Sequence, residues 1–187
     1  MAKFETINLK GKYVDESIIL CILNPMERNY KGAVNVDTYN VIESMKAVSR
    51  QFQNSDELKL NQFVLSFDLN ELDDPYVADS IAKEIMDYLG KEYQAVYRVR
   101  EDGGIYIDIV MNTVSYVDGH QFADEEPDDE TDEETEYDLF YSKLYSILGK
   151  YGINGPSCYR CEIDGGKEKC TCWFVLSITR DTFEDMM

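Results

Sequence analysis

Four cysteines stand close together late in the chain, as Cys158-Tyr-Arg-Cys161 and, eight residues further on, Cys170-Thr-Cys172. Four thiolates at short spacing suit a tetrahedral zinc ion, so Cys158, Cys161, Cys170 and Cys172 form a candidate structural zinc site. The spacing departs from a pair of two-residue gaps. If Gly165-Gly166 is a two-residue hairpin turn, Cys161 faces Cys170, whereas Cys158 needs a bend to converge with the others. Reduced thiols packed against Trp173 and Phe174, or a disulfide, remain alternatives. The fifth cysteine, Cys21, stands alone on an apolar segment, where the ordinary role is a small core side chain. An odd count argues against a fully bonded disulfide framework. The chain has one histidine, His120. That count excludes any mechanism built on a histidine cluster.

A second group of chemically capable residues lies in Arg100-Glu-Asp-Gly-Gly-Ile-Tyr-Ile-Asp-Ile-Val-Met-Asn112. Asp102 and Asp108 offer oxygen ligands to a hard cation such as Mg²⁺ or Mn²⁺. Tyr106 and Asp108 alternate on one face of a strand with Arg100 just upstream. An arginine–aspartate contact is then the competing reading, and a guanidinium beside two carboxylates opposes a metal. Nucleotide chemistry is not indicated. Gly103-Gly104 opens a strand, and Gly165-Gly166-Lys167 lacks the upstream glycine and the following Ser or Thr of a phosphate loop.

The elements that must position these residues can be read from periodicity and punctuation. Lys3 to Asn8 reads as an opening strand, and Lys31 to Thr38 as a loop. Val41, Met45, Val48 and Phe52 recur at helical spacing, so 39–52 is an amphipathic helix. Gln62 to Asp68 is β-rich. Asp73-Asp74-Pro75 supplies an N-cap candidate and a proline near the first helical position; Val77, Ile81, Ile85 and Leu89 form the apolar stripe of the next helix, and Gly90 stops it. Tyr93–Val99 and Ile105–Val114 are strands joined by a glycine turn. Leu139–Tyr151 is helical, and two strands surround Gly165-Gly166. This order implies an α+β fold: an antiparallel sheet with helices mainly on one face, those at 39–52 and 77–89 covering it, and a cysteine-rich C-terminal hairpin.

The formal charge is −19, from 18 basic and 37 acidic residues. Eleven of the acidic residues fall between Asp124 and Asp138, with no basic residue among them; without them the charge is −8. Like charges at that density favour an extended chain. A protein that grips nucleic acid through its phosphates needs cationic surface, so this balance argues against tight non-specific DNA binding. A modest basic face is still available around Lys46, Arg50, Arg98 and Arg100. No apolar run reaches the roughly 20 residues of a membrane span, and the N-terminal residues lack a signal-peptide pattern. A cytoplasmic location is the expectation.

Four segments in order carry a family resemblance. Ile22-Leu-Asn-Pro25 resembles the first motif of the relaxase/mobilisation nucleases carried by plasmids and integrative elements. Phe63-Val-Leu-Ser-Phe67 resembles the second, and Val99 to Asn112 the third, which holds a histidine–hydrophobe–histidine pair. Asn112-Thr-Val-Ser-Tyr-Val-Asp-Gly119 and Ile147-Leu-Gly-Lys-Tyr-Gly-Ile153 resemble the stretch that commonly comes after the third motif. The resemblance implies a protein that nicks one DNA strand at a transfer origin. A tyrosine hydroxyl attacks the scissile phosphate, and a divalent cation on three histidines polarises it. By that resemblance Cys21 stands at the tyrosine position, Arg100 at the first histidine, and Tyr106 and Asp108 at the histidine pair. Ser66, Asp102 and Asn112 match supporting positions.

The expected organisation is a relaxase-like domain over 1–153, including a disordered acidic loop at 123–137, and a cysteine-rich hairpin over 154–187 on the same domain. The expected function is that of a catalytically silent relaxase homologue, a pseudoenzyme with a DNA-binding or accessory role in mobilisation or conjugation. Its partners would be DNA or a protein of the mobilisation complex, without membrane or nucleotide. The alternatives are an active nuclease using Mg²⁺ or Mn²⁺ on carboxylates, and an acidic module that engages a basic protein.

Overall fold

The computed structural model describes residues 2–6, 16–23, 30–122, 136–153, 157–164 and 167–173. The elements in order are β1 (Lys3–Thr6), α1 (Ser17–Leu23), β2 (Lys31–Val34), α2 (Val41–Gln53), β3 (Leu60–Phe67), α3 (Pro75–Leu89), β4 (Ala95–Glu101), β5 (Ile105–Asn112), α4 (Glu136–Lys150), β6 (Ser157–Asp164) and β7 (Lys167–Trp173). The fold is α+β. The strands form one sheet in the order β2-β4-β5-β3-β1-β6-β7. The five strands from β2 to β1 pair antiparallel throughout. β6 joins parallel to β1, and β7 returns antiparallel to β6.

Local chemistry accounts for the elements that carry the site. The Asp74 carboxylate accepts from the Tyr76 N–H at 2.9 Å, Pro75 occupies the first helical turn, and the Gly90 N–H closes α3 on the Met86 carbonyl at 2.8 Å. A donor left bare by the first turn is thereby satisfied, and proline sits where its missing N–H costs nothing. β4 and β5 meet through a tight turn in which Gly103 has φ +67°. A residue with a Cβ is disfavoured there.

Two cores sandwich the sheet. The larger holds Phe4, Phe63, Leu65, Tyr97, Ile107 and Ile109 against Ile81, Ile85 and Leu89 of α3 and Phe140, Leu144 and Ile147 of α4. The smaller holds Leu60, Val96 and Val110 against Ile19 and Ile22 of α1 and Val41 and Met45 of α2. The two longest helices do share a face. The helix expected at 39–52, however, lies on the face opposite α3, not beside it. Its apolar stripe was legible, but a stripe carries no label for which side of a sheet it meets. The stretch 31–38, expected as a loop, contributes the edge strand β2. Four residues of Lys-Gly-Ala-Val have no alternation long enough to read, and pairing with β4 makes the strand. The helix expected from Leu139 begins at Glu136, inside the acidic stretch. The rest of that stretch, 123–135, lies outside the described residues.

Candidate functional site

The side chains of Arg98, Arg100, Tyr106 and Asp108 project from β4 and β5 on the face covered by α1 and α2. Strand alternation puts them there, because Val96 and Val110 of the same strands belong to the smaller core. The register pairs Arg98 with Asp108 and Arg100 with Tyr106, while β3 brings Ser66 opposite Tyr106 and Val64 opposite Asp108. Ser66, Arg100, Tyr106 and Asp108 are therefore neighbours on one surface of three adjacent strands.

Asp108 is 3% exposed. Its Oδ2 accepts from Arg98 Nε at 2.8 Å and from Arg100 Nε at 3.0 Å. The Arg100 guanidinium carbon sits 4.0 Å from the centre of the Tyr106 ring, a cation–π contact. Arg98 also donates from Nη1 to the Cys21 carbonyl at 3.2 Å, and Lys31 Nζ reaches the Leu23 carbonyl at 3.4 Å. Two cations thus meet carbonyls in the last turn of α1, where the partial charge is negative. They fix α1 to the site and leave the Cys21 side chain exposed. Cys21 is not the small core residue that its apolar segment suggested. On a helix, Ile19 and Ile22 take the buried side and Cys21 the outer one.

Asp102 and Asp108 do not form a common pair. Asp102 lies in the turn after β4 with its side chain 85% exposed, 3.8 Å from Arg100 Nη1, whereas Asp108 is enclosed. Asn112 is buried further along β5, where it donates to the Met45 carbonyl at 3.3 Å and to Gln94 Oε1 at 3.2 Å and accepts from the Val114 N–H at 3.3 Å. It ties the sheet to α2. Four residues of strand, roughly 13 Å, separate it from Asp108.

Two guanidiniums share the enclosed Asp108 carboxylate, and Arg100 also approaches Asp102 at 3.8 Å. A carboxylate that already accepts two charge-assisted hydrogen bonds offers little to a metal ion, and the guanidiniums repel one. Elsewhere on the expected basic face each cation has an acidic partner. Lys46 meets Glu16 at 2.9 Å, and Arg50 meets Glu43 at 3.0 Å and also Asp56.

Sequence reading placed Arg98 on a basic face but missed its pairing with Asp108. Counting outward from the Gly103-Gly104 turn would have found it, since residues 98 and 108 pair across the hairpin. The single histidine is in a different place. His120 contacts Asp118 through Nδ1, and its Nε2 lies 2.6 Å from the Tyr93 hydroxyl and 2.8 Å from Glu136 Oε1. Partial burial pulls the imidazolium down, but hydrogen bonds to Asp118 and Glu136 outweigh it and hold His120 above its ordinary pKa. Of the four late cysteines, the strand register pairs Cys161 with Cys170, Cys158 with Trp173 and Cys172 with Tyr159. Their side chains lie outside the described residues.

The fold and the site define a class: an antiparallel sheet between helix layers, with polar residues on three central strands where the relaxase resemblance expects a metal centre. The family model for the MobA/VirD2-like relaxase nuclease domain matches residues 22–135. The chain belongs to this relaxase family, whose members are mobilisation-related DNA-processing proteins. No curated protein and no solved structure matches it.

Proposed function

We propose that this chain is a catalytically silent relaxase homologue of a mobile genetic element, acting in mobilisation by binding DNA or by assisting its processing. One observation carries the reading: Asp108, at a position that the resemblance gives to a metal histidine, is held by Arg98 and Arg100, with Tyr106 stacked under Arg100. By the resemblance, the guanidinium of Arg100 and the phenol of Tyr106 take positions that a relaxase gives to imidazole. A cation placed there would meet two positive charges and one ligand already engaged.

Arg100 keeps 30% of its side chain exposed, enough to meet one phosphate of a single strand laid across the sheet. The pairing of Lys46 and Arg50 with carboxylates favours a second reading as well, in which the acidic segment from Asp124 to Asp138 engages a basic protein of the mobilisation complex.

The deciding experiment incubates the full chain with single-stranded transfer-origin DNA and Mg²⁺ or Mn²⁺ and looks for nicked product and a covalent adduct. None is expected. Nicking that Asp108→Ala abolishes would overturn the silent reading. Anisotropy of the same labelled strand across salt concentrations then separates the two roles. Binding that weakens with salt supports the DNA role; no affinity even at low salt leaves the protein-partner role.

A further inference from the structure

At the end of the sheet away from Arg98 and Asp108, three side chains far apart in the chain converge. Glu92 precedes β4, His120 follows β5, and Glu136 opens α4. One donor atom from each lies within 4.8 Å of the other two. His120 Nε2 is 2.8 Å from Glu136 Oε1 and 3.7 Å from Glu92 Oε2. Bonds of about 2.1 Å at tetrahedral angles put neighbouring donor atoms about 3.4 Å apart, and the two distances bracket that value.

The outer contacts have the form of a metal site. Asp118 takes the Nδ1 side of His120 and also accepts from the His120 backbone N–H at 3.1 Å. A carboxylate on Nδ1 fixes the tautomer whose Nε2 can ligate; without an ion, that Nε2 meets the Tyr93 hydroxyl at 2.6 Å and Glu136 Oε1 at 2.8 Å. Glu136 Oε1 accepts from the Tyr93 hydroxyl at 2.8 Å. Two of the three candidate ligands thus already have an orienting partner. The third, Glu92, is half exposed and offers the way in.

We propose that Glu92, His120 and Glu136 bind a first-row divalent cation of the manganese or zinc class, with water completing its coordination. One imidazole and two carboxylates suit such an ion better than Ca²⁺, which takes oxygen ligands alone. The site uses none of the positions that resemble the relaxase histidines. Tyr93 lies about five residues before Arg98, roughly 16 Å along the strand, so the ion does not act on the Asp108 cluster. Its role is a clamp. It joins the first turn of α4 to the turn after β5, and His120 and Glu136 bracket the start and most of the length of the acidic segment.

The test titrates Mn²⁺ into the reduced full chain and follows the loss of the free-ion EPR signal. Thiolates favour softer ions, so the cysteines compete little. One site per chain is expected, with nitrogen coupling in pulsed EPR from the imidazole. His120→Asn and Glu92→Gln should each weaken it at least about tenfold, the first abolishing the coupling. Asp129→Asn, which removes one charge from the acidic segment, should change affinity less than about twofold. Absent nitrogen coupling, or equal weakening by all three variants, would reduce the binding to diffuse attraction by acidic residues and overturn the proposal. Glu92 is exposed enough that Glu92→Gln should fold even if His120→Asn does not.

Discussion

Replacing Asp108 with alanine removes the enclosed carboxylate that both guanidiniums share. Arg98 and Arg100 keep only 16% and 30% of their side chains exposed, so neither recovers full hydration where it stands. Breaking a fully buried pair by deleting one partner costs about 3–5 kcal/mol. Partial exposure of both arginines discounts this, and about 2–3 kcal/mol is the expected loss. For a chain of 187 residues that corresponds to a fall in Tm of roughly 5–10 °C. Asp102 is the internal control. It also approaches Arg100, but at 3.8 Å and with its side chain 85% exposed, so Asp102→Ala should cost under about 0.5 kcal/mol. Thermal unfolding of both variants, monitored by circular dichroism at neutral pH without divalent ions, makes the comparison. An Asp108→Ala variant that melts with the parent protein or above it would refute the ion-pair role. Divalent ions that stabilise the parent strongly and Asp108→Ala not at all would do the same, because Asp108 would then be a ligand and not an ion-pair partner.

Two further outcomes rest on particular contacts. Lys150 first and Tyr151 second hold the Glu84 carboxyl below its ordinary range. Its contribution to stability is therefore complete above the unfolded value of about 4.3 and disappears as pH falls through the lower folded value. The stability difference between the parent and Glu84→Gln, measured by urea unfolding at several pH values, should be present at pH 7 and vanish in acid. A difference that grows in acid would refute the assignment. Gly119 has φ +80°, and a Cβ there would run into the Phe52 ring. Gly119→Ala should cost about 2–4 kcal/mol, from left-handed strain and overpacking together, seen as a lower urea midpoint. An unchanged midpoint would mean that the turn carrying Asp118 and His120 has room to move.

Individual elements show what was legible. The Asp74-Pro75 start, the stripe through Ile81 and Ile85 and the Gly90 stop gave α3 within a residue of its bounds, because helix signals are local. The β4–β5 hairpin was equally plain from its glycine turn and apolar runs. The register sets Ser66, Arg100, Tyr106 and Asp108 side by side on adjacent strands. β2 escaped notice because its only support is a partner strand some sixty residues away. The face taken by α2 was invisible for a similar reason.

The chain's own order of residues settled its family and its α+β class, since these depend on residue type and nearest neighbours. Tertiary structure alone decided which side chains meet. Arg98 meets Asp108 because two strands align in register, and Arg98 reaches Cys21 because α1 crosses their face. Glu92, His120 and Glu136 become neighbours only when the sheet and α4 close around Tyr93. Such contacts join residues 10 to 77 positions apart, and no local periodicity records which distant carboxylate a cation will find.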